Sequence, residues 1–234
     1  MTSKQNGRTN ERTQWVEIVA VKGLKCATFQ RGRAKAVKRI FKMEEITDIK
    51  RFARKNDVPV LKDDGADFIC TYIKEHNVKR VLEIGTAIGY SAIRFAQVSP
   101  DVHVTTIEVN IDRLIKAKQN FHDTGVEDQI TSLGGDALLM EVEGEFDLIF
   151  IDAAKAQYIR FFEKFKQNLA PNGVFISDNL AFHGMVEDIS LTHNYSTIKL
   201  VKKIRKYIDF LKSNTEFHTD FYECGDGIAV SRRN

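Results

Sequence analysis

Acidic and amide side chains recur in this sequence at the points where short apolar runs end. Asp152 follows the run FDLIFI, and the pair Asp178-Asn179 follows the run VFIS. Two carboxylates and an amide oxygen form a hard, all-oxygen donor set, which suits Mg²⁺, Mn²⁺ or Ca²⁺ and does not suit Zn²⁺. The alternative is helix N-capping, because Asp152 precedes a helical pattern and Asp178-Asn179 opens a loop.

A glycine turn follows the apolar stretch RVLEI at residues 80–84. The spacing is Glu83-x-Gly85-x-x-x-Gly89, which departs from the G-x-G-x-x-G of dinucleotide-binding loops. Glycines let the backbone approach a ligand, and the helix that starts near Ser91 offers free N–H groups. A fixed carboxylate at the strand end would repel a pyrophosphate but suit a cation, which favours S-adenosylmethionine over NAD. A tight strand–helix turn without a ligand is the alternative.

Two further strand ends carry acids that suit an adenosine group. Glu108 lies about 20 residues beyond the glycine turn, where an acid can accept both ribose hydroxyls. NAD enzymes use the same device, so Glu108 does not choose the cofactor, and a surface acid is the alternative. Asp136-Ala137 could contact the adenine, although Gly-Asp is also ordinary turn chemistry.

Strands and helices alternate along most of the chain, and they must position these residues. The predicted strands are Arg80–Ile84, His103–Val109, Ile130–Leu133, Phe146–Ile151 and Val174–Ser177, with a turn at Pro171-Asn172-Gly173 and a terminal hairpin of Glu216–Glu223 and Gly227–Arg232. Helices are predicted after Gly65, near Ser91, over Ile111–His122, after Asp152 and over Ser196–Leu211. This pattern predicts an α/β fold with a mostly parallel sheet, helices on both faces and ligands beyond the carboxyl ends of the strands.

The whole-chain composition is that of a globular protein with an uneven charge. No apolar run reaches membrane-spanning length, and the N-terminus lacks the apolar region of a signal peptide. Cys26, Cys70 and Cys224 form no CxxC pair, which favours reduced thiols and a cytoplasmic location. Residues 1–42 carry 11 Lys/Arg against 2 Asp/Glu, a balance of +9, although the whole chain carries only +3. Such an arm suggests nucleic acid or an anionic surface, and a solubilising tail is the alternative.

Several of these motifs together resemble a known family. LEIGTAIGYSAIRFA, IEVN, GDAL, FDLIFIDAAKAQY and ISDN look like the metal-dependent O-methyltransferases of the catechol and caffeoyl-CoA type. IDAAKAQYIRFF followed by DNLAFHGMVED is similar to the bacterial tRNA 5-hydroxyuridine methyltransferases. The resemblance covers about Met43 to Arg232. Residues 1–42 do not look like the usual N-terminal helix of the family, so we expect a basic extension at 1–42 and a methyltransferase domain at 43–234.

The resemblance implies a Rossmann-like methyltransferase fold with seven strands and assigns roles to individual residues. Lys155 would be a general base or positioning cation beside Asp152, and a solvated lysine is the alternative, disfavoured by the helix dipole at the first turn. Asp152, Asp178 and Asn179 would hold Mg²⁺ or another hard divalent cation. The predicted S-adenosylmethionine-binding residues are Leu61, Glu83, Gly85, Thr86, Ser91, Glu108, Asp136, Ala137 and Asp152.

The function that follows is methyl transfer from S-adenosylmethionine to the 5-hydroxyl of 5-hydroxyuridine at the tRNA wobble position, which gives 5-methoxyuridine. A catechol also offers two neighbouring oxygens, so a small-molecule phenol is an alternative acceptor, and a non-catalytic S-adenosylmethionine- or RNA-binding protein is another. Basic residues favour the anticodon loop of tRNA as partner, and Phe182 or His183 could stack on a base. These basic residues are Arg31, Arg33, Lys35, Lys38, Arg39, Arg51, Arg54, Lys55, Lys202, Lys203, Arg205 and Lys206. We also expect a homodimer and no membrane association.

Overall fold

The computed structural model describes residues 45–234, so the basic extension predicted at 1–42 lies outside the described residues. Helix α1 covers residues 45–55. The other helices are α2 (Asp63–Glu75), α3 (Tyr90–Ala96), α4 (Ile111–Asp123), α5 (Tyr158–Phe165) and α6 (Tyr195–Ser213). The strands are β1 (Arg80–Ile84), β2 (His103–Glu108), β3 (Ile130–Gly134), β4 (Phe146–Ile151), β5 (Leu169–Ser177), β6 (Phe217–Tyr222) and β7 (Ile228–Arg233).

The seven strands form one sheet in the order β3-β2-β1-β4-β5-β7-β6. The five strands from β3 to β5 are parallel, whereas β7 runs antiparallel to both β5 and β6. The predicted α/β fold with a terminal antiparallel hairpin is therefore confirmed. Because the five parallel strands end at the same edge, their terminal acids are brought together there.

The two faces of the sheet carry separate hydrophobic cores, as the apolar run LIFI at residues 148–151 of β4 requires. Leu148 and Phe150 pack in one core with residues of α1, α2, α3 and α4. Ile149 and Ile151 pack in the other with residues of α5 and α6. Since successive side chains of a strand point to opposite faces, both layers of helices hold the central strands in place.

The start of β5 differs from the predicted turn at Pro171-Asn172-Gly173, because those three residues lie inside the strand. Phe146 of β4 pairs with Leu169, but Leu148 pairs with Val174, so the register shifts between the two positions. A Cβ at Gly173 would lie 2.9 Å from the Phe146 carbonyl oxygen, so glycine permits this close approach. Pairing with β4 on either side thus absorbs the predicted turn into an irregularity of the strand.

No helix within residues 45–234 is long and apolar enough to cross a membrane. Asp147 of β4 accepts hydrogen bonds from the backbone N–H groups of Lys79 (2.8 Å) and Arg80 (2.9 Å), at the edge of the sheet opposite the strand-end acids. This carboxylate secures the entry into β1, and the end of that strand leads directly into the glycine turn.

Candidate active site

The glycine turn between β1 and α3 brings two backbones unusually close. Gly85 has φ 107°, and a Cβ there would lie 2.1 Å from the carbonyl oxygen of Asp152. Gly89, with φ 84°, is the N-cap of α3, and a Cβ there would lie 2.4 Å from the Phe121 ring. Both glycines are therefore required by sterics, and the end of β1 lies directly against the residue that follows β4.

Glu83 lies beneath this turn and is completely buried. Ser91 Oγ and Thr106 Oγ1 both donate hydrogen bonds to its carboxylate, and Thr86 Oγ1 lies 2.6 Å from Thr106 Oγ1. Burial raises the pKa of Glu83 to about 7, although the two hydrogen bonds favour the charged form. Glu83 thus links β1 to Ser91 at the start of α3 and to Thr106 of β2 by hydrogen bonds. Its direct contact with the cofactor stays a prediction.

A cavity of about 510 Å³ opens beside the turn, within the range of small-molecule sites. The sequence missed the cavity residues Tyr90, Arg113, Gln157 and Phe161, of which only Tyr90 carried a local signal, its position next to Gly89. Glu83 and Asp178 do not line the cavity. The predicted site residues that line it are Leu61, Gly85, Thr86, Ser91, Glu108, Asp136, Ala137, Asp152, Lys155 and Asn179.

Glu108, at the end of β2, organises the wall of the cavity. Its Oε2 accepts a hydrogen bond from Ala87 N at 2.8 Å and its Oε1 accepts one from Asn110 N at 2.8 Å. The carboxylate is 6% exposed and is held by these two bonds at the mouth of the glycine turn. Each oxygen keeps a further lone pair, so Glu108 can still accept hydrogen bonds from hydroxyl groups of a ligand.

The segment after β3 forms the opposite wall. Asp136 Oδ1 accepts a hydrogen bond from Leu138 N at 2.8 Å, which is the turn chemistry anticipated for this Gly-Asp pair. Lys164 of α5 donates to the carbonyl oxygens of Leu138, at 3.0 Å, and Met140. A charged side chain on a rigid helix thus fixes the backbone around Ala137 and Leu138.

Asp152 and Asp178 lie side by side because β4 and β5 are neighbours in the sheet, with Ile151 paired to Ser177. The Asn179 side-chain amide donates to Asp178 Oδ2 at 2.7 Å and to Asp152 Oδ1 at 3.3 Å. Within residues 45–234, Asp178 Oδ1 is buried without a hydrogen-bond partner. Asp152 does not cap a helix. The N-caps of the next two helical segments are Ala154 and Gln157, and neither segment has a side-chain hydrogen bond at its N-cap.

The carboxylate pair is electrostatically unfavourable without a cation. Burial raises the pKa of Asp152, and burial followed by repulsion from Asp152 raises the pKa of Asp178 to about 7. Lys155 opposes both shifts, and its Nζ lies 5.8 Å from the centre of the Phe182 ring. One ammonium group does not balance two neighbouring carboxylates in a poorly solvated site, so the site is suited to a bound cation.

The donor set of Asp152, Asp178 and Asn179 has the chemistry that a hard cation requires. It combines two carboxylates with an amide. The amide nitrogen of Asn179 faces the carboxylates in this structure, and to bind a cation the amide would turn so that its oxygen faces them. The described residues contain no group of three or more His, Cys, Asp or Glu side chains that could hold a metal. Water or an acceptor would therefore have to supply the remaining ligands.

Known proteins share the sequence pattern and the fold of this chain. The family model described as O-methyltransferase matches residues 35–234. A caffeoyl-CoA O-methyltransferase of Populus kitakamiensis is 26% identical over 193 residues, which cover 79% of this chain and 82% of that protein. The crystal structure of a putative caffeoyl-CoA O-methyltransferase from Staphylococcus aureus is 38% identical with a TM-score of 0.78, covering 86% of this chain and 98% of that one. The SAH-bound methyltransferase PaMTH1 of Podospora anserina shares the fold at 21% identity, with a TM-score of 0.74 and coverage of 91% and 99%.

Proposed function

The chain belongs to the O-methyltransferase family, and we propose that it moves a methyl group from S-adenosylmethionine to a hydroxyl that has a second oxygen beside it, with the help of a divalent cation. The observation that carries the proposal is the pair of half-buried Asp152 and buried Asp178, bridged by Asn179 at the edge of the glycine-turn cavity. Methyl transfer in line from sulfur to oxygen needs alignment and an anionic acceptor, and little other covalent chemistry.

S-adenosylmethionine suits the cavity because the polar groups along it match the parts of this cofactor. Glu108 would accept the ribose hydroxyls, and Ala137 with Leu138 would lie against the adenine. The free N–H groups at the start of α3 and the hydroxyl of Ser91 would face the methionine end. The family assignment and the SAH bound in the Podospora fold neighbour support this choice of cofactor.

Asp152, Asp178 and Asn179 would hold the divalent cation, for which Mg²⁺ is our first choice. When bound, such an ion orients two neighbouring oxygens of the acceptor and lowers the pKa of its hydroxyl. Lys155 lines the same cavity as Asp152 and Asn179. We assign to its ammonium group the positioning of the acceptor oxygen and the stabilisation of the negative charge that this oxygen gains on losing its proton.

For the acceptor we propose 5-hydroxyuridine at the wobble position of tRNA, whose 5-hydroxyl and 4-carbonyl are neighbouring oxygens. The support comes from lysines on the exposed side of α6, namely Lys202, Lys203 and Lys206, and from the half-buried Phe182 ring beside Lys155. Lysines of this kind would contact phosphates, and an aromatic ring would stack on an unpaired base. The basic extension at 1–42 and the homodimer stay predictions.

A small phenol with two adjacent oxygens is the second candidate for the acceptor. The names of two similar proteins support it at least as well as the lysines of α6 support tRNA. The poplar relative and the staphylococcal structure both carry the name caffeoyl-CoA O-methyltransferase. Both acceptors present two neighbouring oxygens, a hydroxyl and a carbonyl in 5-hydroxyuridine and two phenolic oxygens in a catechol, so the donor set of Asp152, Asp178 and Asn179 does not choose between them.

Labelled S-adenosylmethionine separates the two candidates. The purified protein is incubated with Mg²⁺ and either tRNA that contains 5-hydroxyuridine or a panel of catechols and caffeoyl-CoA. Label in tRNA, recovered as 5-methoxyuridine by nucleoside mass spectrometry, supports the RNA acceptor. Label only in the phenols supports the second candidate, and cofactor binding without label in any acceptor would favour a non-catalytic binding protein.

A further inference from the structure

The segment 179–184, which we name the acceptor loop, leaves the end of β5 in an unusual backbone conformation. Asn179, Phe182 and His183 have φ of 67°, 45° and 57°, values that residues other than glycine rarely adopt. The loop begins at Asn179 between the two carboxylates and carries Phe182 to Lys155. Backbone strain of this kind persists only where the surrounding structure enforces it.

Asp226, in the turn between β6 and β7, supplies this enforcement. Its side-chain Oδ1 accepts a hydrogen bond from His183 N at 2.8 Å, and its backbone oxygen accepts one from Ala181 N at 2.7 Å. The neighbouring Gly227 oxygen accepts one from Leu180 N at 3.0 Å. Three backbone N–H groups of the acceptor loop are therefore hydrogen-bonded to the hairpin turn. A Cβ at Gly227 would lie 2.6 Å from Ala181 N, which shows how closely the two segments approach.

The carboxylate of Asp226 is buried and lies near two basic side chains. Asp226 is 6% exposed, and within residues 45–234 its Oδ2 has no hydrogen-bond partner. His183 Nδ1 lies 3.6 Å from Oδ2, and Lys62 Nζ lies 3.4 Å from Oδ1. A buried carboxylate is costly to retain for packing alone, since an apolar side chain would fill the same space without the desolvation penalty.

We propose that Asp226 is a positioning residue that holds the acceptor loop, and through it Asn179 and Phe182, in the geometry needed for acceptor binding. This inference rests on the methyl transfer proposed above. Asp226 contacts the acceptor loop and does not line the cavity beside the glycine turn, so its replacement should affect acceptor binding more than binding of S-adenosylmethionine.

The test compares Asp226→Ala and Asp226→Asn with a control variant, Asp188→Ala, which alters an exposed aspartate that accepts hydrogen bonds from Ser190. Hydrogen exchange of the acceptor loop, measured without acceptor, reports the loop directly. In Asp226→Ala we expect exchange about tenfold faster in residues 180–184, and an acceptor KM raised about tenfold, with the Kd of S-adenosylhomocysteine changed by less than about twofold. Asp226→Asn keeps an oxygen for His183 N, so its exchange and KM should lie between those of Asp226→Ala and wild type.

Unchanged exchange of the loop in Asp226→Ala would overturn the inference, as would a Kd of S-adenosylhomocysteine that rises as much as the acceptor KM. If Asp226→Ala does not fold, Asp226→Asn carries the test, and exchange and KM identical to those of wild type would overturn it. If the wild-type protein transfers no methyl group, the proposed function fails, but exchange of the loop still tests what Asp226 does.

Discussion

The side-chain amide of Asn179 donates a hydrogen bond to Asp178 Oδ2 at 2.7 Å, at the end of β5 where the chain turns into the acceptor loop. The same amide lies 3.3 Å from Asp152, so it sits between the buried carboxylate of Asp178 and the half-buried carboxylate of Asp152. An amide carries only a partial positive charge, and Asp178 Oδ1 stays without a partner among the described residues. A divalent cation would satisfy these oxygens far better than this amide does.

Replacing Asp178 with Asn should separate the stability of the protein from its activity. Without metal, the variant should unfold at a higher temperature than wild type, because a neutral amide replaces the buried one of two neighbouring carboxylates. With Mg²⁺ at about 100 times its Kd, wild type should gain about 2.7 kcal/mol, and the variant should gain much less. Thermal unfolding with and without Mg²⁺ measures both effects. Equal stabilisation of the two proteins by Mg²⁺ would place the metal elsewhere.

Glu83→Gln should remove a pH dependence of stability. The pKa of buried Glu83 is raised to about 7, so the folded protein holds a proton that the unfolded chain releases from about pH 4.5. The free energy of unfolding of wild type should therefore fall as pH rises across this window, by roughly 3 kcal/mol from this group. Relative to wild type, the variant should become more stable between pH 5 and pH 8. A constant difference across that range would contradict the assignment.

Gly85→Ala and Gly125→Ala form a matched pair that tests the turn. A Cβ at Gly85 would lie 2.1 Å from the Asp152 oxygen, whereas one at Gly125 (φ 63°) meets nothing within 4 Å. Gly125→Ala should cost about 1 kcal/mol from backbone strain alone. Gly85→Ala should cost several times as much and weaken binding of S-adenosylhomocysteine by at least about tenfold. Calorimetric titration and thermal unfolding measure these effects, and equal behaviour of the two variants would argue against the close approach.

Lys164→Met should weaken cofactor binding from a distance. Lys164 donates to the carbonyl oxygens of Leu138 and Met140, and charged hydrogen bonds of this type contribute roughly 1.5–3 kcal/mol. The Kd of S-adenosylhomocysteine should rise by roughly 4- to 13-fold if half of that loss is expressed in binding.

Lys166→Met serves as the control for that variant. Lys166 pairs on the surface with Glu163 and Glu216, so its replacement should leave the Kd unchanged. Similar Kd values for Lys164→Met and wild type would mean that the wall near Leu138 holds its shape without Lys164.

The sheet and the carboxylate pair were predictable because both follow from local patterns. Apolar runs such as FDLIFI mark strands buried on both faces, and an acid after each run marks the same edge of a parallel sheet. The predicted turn at Pro171-Asn172-Gly173 lies within β5, because pairing with β4 outweighs local turn chemistry. Long-range contacts also escaped prediction. The residues around Glu83 in the sequence do not show that Thr106 donates a hydrogen bond to its carboxylate. Those around Asp226 likewise do not show that its carboxylate accepts a hydrogen bond from the acceptor loop.

Methyl transfer from labelled S-adenosylmethionine, measured with and without a chelator, tests directly whether the reaction needs a divalent cation at this pair of carboxylates. Transfer to an acceptor with two neighbouring oxygens should require a divalent cation, stop when EDTA is added, return with Mg²⁺ and be lost in Asp178→Asn. Transfer that proceeds at the same rate in EDTA, or in Asp178→Asn, would contradict the role given to Asp152, Asp178 and Asn179.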